Sequence, residues 1–175
     1  MSKTRFFVFA VYVGLQSFLL QLVDQLIGAR LVPGGTKGFV FVAFQSWALY
    51  FLLGSTVKKG LKGLAGYCMG IVFAIVMLEV GDILGELGIF AIPVTALIIV
   101  PLMMYFEYAP FYISDVATFF VGAGAFYGIY NYVDEITIIQ ASTIEILYCV
   151  LGLGSGWMTI LFRNWYENKQ YHSLK

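Results

Sequence analysis

The sequence predicts an all-α protein: a polytopic membrane bundle of six transmembrane helices, with both termini on the cytoplasmic face. Three observations carry that expectation. The 175-residue chain is 61% hydrophobic and only 11% charged, whereas ordinary soluble domains carry about 25% charged residues. Its apolar residues fall into six runs, each close to the ~20 residues a helix needs to cross a ~30 Å hydrocarbon layer. Eight of the ten basic residues lie on one side of those runs. Helices close their own backbone hydrogen bonds, which lipid cannot do. A β-barrel would instead show alternating segments of about 10 residues.

The first run, Phe6–Gly28, follows Lys3 and Arg5. It exceeds the ~7–15-residue core of a signal peptide, and no small-x-small cleavage site follows it. Gly14, Ser17, Gln21, Asp24 and Gly28 recur along it at spacings of three and four, which places them on one helix face. The second run, Gly38–Val57, has no such stripe. Lys58, Lys59 and Lys62 mark the turn into the third, Leu61–Val80, whose stripe is Gly63, Gly66, Gly70 and Ala74. The fourth, Gly88–Tyr105, is apolar all round, and Pro93 and Pro101 are expected to bend it. The fifth, Ile113–Val133, lines up Asp115, Thr118, Gly122 and Ala125, with Ser114 as the expected cap. The sixth, Thr143–Phe162, lines up Ser142, Glu145, Cys149, Gly152, Gly156 and Thr159, with Ser142 and Thr143 also as capping candidates. The tail Arg163–Lys175 reads as a short cytoplasmic extension carrying His172, the only histidine. Residues 1–175 thus form one six-helix domain.

The excess of Lys and Arg marks the cytoplasmic side, leaving only Arg30 and Lys37 outside, with Asp82, Glu86, Asp134 and Glu135 in the outer loops. Nothing in this pattern is a nucleic-acid signature. Small residues let helix backbones approach closely, so Gly14, Gly66, Gly70, Gly122, Gly152 and Gly156 are the predicted helix-packing positions. An internal echo accompanies them. Trp47-Ala48-Leu49-Tyr50-Phe51 is similar to Val116-Ala117-Thr118-Phe119-Phe120, and the glycine pair Gly66/Gly70 to Gly152/Gly156. Two three-helix halves would be inverted in the membrane, an arrangement common in transporters. Chance similarity between aromatic-rich membrane segments is the competing account.

Gln21, Asp24, Asp115, Thr118 and Glu145 are the candidate lining residues of a solute path. An acid at the centre of a spanning helix costs about 2.5–3.5 kcal/mol in insertion measurements, so Asp24 and Glu145 require an explanation. For Asp24 the readings are an outer vestibule, or a cap or pair with Arg30 or a neighbouring helix. For Glu145 they are a paired acidic entrance with Asp24, or a first-turn acid favoured by the helix dipole. Cys68 and Cys149 read as small packing residues. No histidine lies in any run, so a Ser–His hydrolase or a His-ligated metal site lacks its parts. Gly154-Ser155-Gly156 has no accompanying base, and Gly34-Gly35 and Gly60 read as turn residues. No enzyme, cofactor or metal is expected.

The stretch Trp47 to Gly54, continuing through Lys59-Gly60-Leu61-Lys62-Gly63 and Gly66 to Gly70, resembles the YcdZ-like family of small bacterial inner-membrane proteins. Ala109-Pro110-Phe111 followed by Ala117-Thr118-Phe119 is similar to a second family segment. Where the family tends to have a glycine pair before its Lys-Gly turn, this chain has Gly54-Ser55. The resemblance implies a bacterial inner-membrane location and contributes no catalytic residue. The expected function is a small channel or transporter for a polar or weakly charged solute, working as a homo-oligomer in the lipid bilayer. The alternative is a non-transporting membrane subunit that assembles through its glycine-lined faces.

Overall fold

A computed structural model describes residues 3–32 and 38–172, with side chains over 6–32 and 38–169. Gly34, Gly35, Lys37 and Lys175 lie outside the described residues, as do the side chains of Lys3, Arg5 and His172. Six α-helices account for most of the described chain: α1 (Lys3–Leu31), α2 (Val40–Leu52), α3 (Val57–Ile83), α4 (Ala91–Met104), α5 (Val116–Tyr132) and α6 (Ile138–His172). Short 3₁₀ segments at Gly85–Phe90 and Tyr105–Tyr108 flank α4, and a third, Phe111–Ile113, precedes α5.

Four segments are long and apolar enough to cross a membrane: Phe6–Leu31, Val57–Ile83, Gly85–Tyr108 and Ile138–Lys169. Of the six expected spans, α2 and α5 are shorter than their apolar runs suggest. With 13 and 17 residues, they rise only about 20 and 26 Å. α2 stops early because Gly54 (φ +104°) and Ser55 (φ +59°) turn left-handed. Their amides return to Phe51 and Tyr50, both at 3.0 Å, the paired bonds of a Schellman helix end. Thr56 then caps α3 by accepting from the Lys59 amide at 3.3 Å. In α4, Pro93 falls in the first turn, where its missing donor is not needed, and Pro101 lies in the interior.

Successive helices alternate in direction, as their contacts show. Gly81 of α3 lies against Ile92 of α4, and Phe73 against Phe106, so these two run antiparallel. Tyr12 of α1 stacks on Phe162 of α6 at 3.8 Å while Asp24 meets Tyr148, again antiparallel. The two most extensive contacts, α3 with α5 and α2 with α6, are parallel. In the first, Gly66 faces Thr118, Gly70 faces Gly122, and the Tyr127 hydroxyl donates to the Ala74 carbonyl at 3.2 Å. In the second, Phe39 meets Tyr148, Gly152 faces Ala43 and Ser46, and Gly156 faces Tyr50.

Both crossings depend on absent side chains. A Cβ on Gly70 would stand 2.5 Å from the Phe119 carbonyl oxygen, and one on Gly122 2.8 Å from that of Tyr67. A Cβ on Gly66 would overlap Thr118 Oγ1, and one on Gly152 would overlap the Ala43 carbonyl and Ser46 Oγ. In each crossing the buried hydroxyl donates to the carbonyl three residues back: Ser46 to Ala43 at 3.1 Å, Thr118 to Asp115 at 2.7 Å. The two crossings share a glycine pair four residues apart and one buried hydroxyl, and differ in that Gly70 meets the Gly122 backbone while Gly156 meets the Tyr50 side chain. They match Ser46 with Thr118, three residues away from the alignment of the sequence echo.

Candidate functional site

The site is set by where α6 begins. Thr137 Oγ1 accepts from the Gln140 amide at 3.2 Å, and Gln140 Oε1 accepts from the Thr137 amide at 3.0 Å. This is a reciprocal capping box, and it starts the helix at Ile138 rather than Thr143. Ser142 and Thr143 are not caps. Their hydroxyls donate to Ile138 and Ile139 carbonyls one turn back, at 2.8 and 2.7 Å. Glu145 is consequently displaced from the first turn to about 10 Å into the helix, beyond the reach of the helix-end dipole.

There Glu145 is 0% exposed, and neither carboxyl oxygen has a hydrogen-bond partner. The nearby Tyr67 hydroxyl of α3 is buried and unpartnered too. Tyr67, Cys68 and Cys149 lie within electrostatic range of the carboxyl. No basic side chain among the described residues pairs with it. Removing a charge from water without compensation costs several kcal/mol, so this carboxyl calls for a bound proton or a counter-cation. Among the described residues no three His, Cys, Asp or Glu side chains are grouped to hold a metal ion.

Asp24 is equally hidden (1% exposed) but fully engaged. Its Oδ1 accepts from Tyr148 Oη at 2.6 Å and the Phe39 amide at 3.1 Å, and its Oδ2 accepts from the Gly38 amide at 3.1 Å. The carboxylate thereby holds the N-terminal end of α2 and ties α1 to α6. It does not form a hydrogen bond with Glu145, and both acids are buried rather than open to an outer vestibule.

The other predicted residues disperse. Gln21 is exposed, because the face of α1 turned inward runs Gln16, Leu20, Asp24 and Gly28 at intervals of four; the predicted stripe is displaced around the helix. Gly14 is exposed for the same reason, with nothing within 4 Å of its Cβ position. Asp115 itself caps α5, accepting from the Thr118 amide at 3.3 Å, and pairs with Lys62 at 3.7 Å. Ser114, the expected cap, donates instead to the Phe111 carbonyl. Thr118 is buried in the notch of Gly66. A cavity of about 350 Å³ between α2, α3 and α6 is walled by Tyr50, Leu61, Leu64, Leu153 and Trp157, and others of about 310 and 140 Å³ lie along α1 and α6. None of the three is lined by Gln21, Asp24, Asp115, Thr118 or Glu145.

A family profile matches residues 10–162, from α1 through most of α6. The chain belongs to the DUF1097 family of proteins of unknown function. No curated protein and no solved structure matches it. The family match therefore spans both glycine crossings and both buried acids.

Sequence reasoning missed Tyr67, Tyr148 and Gln16. Gln16 Oε1 accepts from Thr159 Oγ1 at 2.7 Å, and its amide donates to the Ser155 carbonyl at 3.2 Å. A polar residue four positions from Leu20 and eight from Asp24 was the available signal.

Proposed function

We propose that this protein is a small membrane transporter for a polar or weakly charged solute, built as two inverted three-helix halves. In this reading all six helices cross, and both termini are cytoplasmic. The resemblance to the YcdZ-like family adds a place in the bacterial inner membrane. Support comes from the exchange of parts between the two parallel pairs. In this reading, exchanging α1–α3 with α4–α6 would carry the α2–α6 crossing onto the α5–α3 crossing, glycine pair on glycine pair and Ser46 on Thr118. Transporters with this symmetry place solute or coupling-ion sites where the repeats meet. Acids inside membrane bundles mark such pathways.

One observation carries the reading: a carboxyl buried without a partner, on α6 and beside Tyr67 of α3, at the junction of the two pairs. Assembly through glycine faces is less well supported. Gly66, Gly70, Gly122, Gly152 and Gly156 are each covered by a neighbouring helix of the same chain, so a partner helix would have to displace it. Solute uptake into proteoliposomes decides the matter. Wild-type protein should give flux above empty vesicles, and Glu145→Gln should abolish it. Absence of flux across a panel of small neutral and weakly acidic solutes would remove the proposal.

A further inference from the structure

We infer that Glu145 is a proton-binding site in the membrane interior, with the carboxyl carrying its proton at neutral pH in the closed protein described here. The inference deepens the transport reading by naming the coupling ion, and it rests on that reading only for the use made of the proton.

The donors around Glu145 select the ion. From α3 the titratable groups are the Tyr67 hydroxyl and Cys68 thiol; from α6 itself, the Cys149 thiol. Tyr148, one turn on, is committed to Asp24 of α1, and Asp115 of α5 to Lys62. α2 presents Ser46, whose hydroxyl is bonded to its own helix. A dehydrated alkali or divalent cation needs several oxygen ligands, and one carboxyl with one phenol does not supply them. A proton needs a single oxygen. The cluster is neutral only when the acid is protonated, because no described basic side chain faces it.

This site is distinct in kind from Asp24, whose oxygens accept from three donors. Release of the proton from Glu145 would require water or a solute to reach it, and so requires a different arrangement of the two helix pairs. The closed state and the protonated acid are then one state.

Infrared difference spectroscopy of the full protein in liposomes tests this without any transport assay. At neutral pH the wild type should show a protonated-carboxyl C=O stretch that shifts in heavy water. The band should vanish in Glu145→Gln and return in Glu145→Asp. Asp24→Asn should leave it in place. Saturating NaCl or KCl should not diminish it. A carboxylate signal from Glu145 at neutral pH would overturn the inference, as would loss of the band on adding either salt. The band with no flux for any solute leaves the proton site and removes the transport reading. Flux abolished by Glu145→Gln, with no such band in the wild type, does the reverse.

Discussion

Asp24 and Glu145 occupy comparable positions: each is an acid with about 1% or less of its surface exposed, on a helix facing the same bundle interior. They differ in what meets them. Asp24 receives two backbone amides and a phenol, and Glu145 receives nothing. Burial alone therefore does not assign a role to a membrane carboxyl. The supply of donors does, because a satisfied acid repays its desolvation locally, whereas an unsatisfied one must take its compensation from outside the protein.

The sharpest way to break this contrast is Asp24→Ala. It strands Tyr148 Oη and two amides, and hydrogen bonds to charged groups contribute about 1.5–3 kcal/mol each. A loss of about 3–5 kcal/mol is expected, seen as a large drop in the unfolding midpoint in detergent. A loss below about 1 kcal/mol would show Asp24 to be no more structural than Glu145. Tyr148→Phe removes one of those bonds and should cost about 1.5–3 kcal/mol by the same measurement. Gly152→Ala calibrates packing within the same helix. Its methyl group would overlap Ala43 and Ser46, and overpacking of this kind costs about 1–3 kcal/mol. Gly14→Ala, in open space, should be neutral or stabilise by up to about 1 kcal/mol through helix propensity. The smallest effect belongs to Glu145→Gln, which should change stability by less than about 1 kcal/mol while flux is lost. If it destabilises as strongly as Asp24→Ala, Glu145 has a structural partner and the contrast fails.

The helices themselves were largely legible. Apolar length and glycine spacing located α1, α3 and the body of α6, and an all-α membrane-type bundle followed. Boundaries were legible only where the local chemistry is unambiguous. Thr137 and Gln140 form a readable capping box, but Ser142 and Thr143 present the same residue types five positions later and bond back inside the helix. The end of α2 depends on Ser55 accepting a left-handed conformation that favours glycine. The inward face of α1 was misjudged because a glycine-serine stripe at 14 and 17 competes with the Gln16–Leu20–Asp24 line. Contacts with α6 more than 120 residues away, and with the Gly38 and Phe39 amides, resolve the two. Long-range pairing is also why Glu145 could not be separated from Asp24 beforehand. Whether a carboxyl finds donors depends on Tyr148 and the Gly38–Phe39 amides arriving from elsewhere in the chain.

The bare-backbone notches at Gly66, Gly70, Gly152 and Gly156 leave little freedom for sliding or rotation within either crossing. Each doublet of helices is thereby closely interlocked. On the transport reading proposed above, a gate would open along the seam between the doublets, where Glu145 of α6 lies beside Tyr67 of α3.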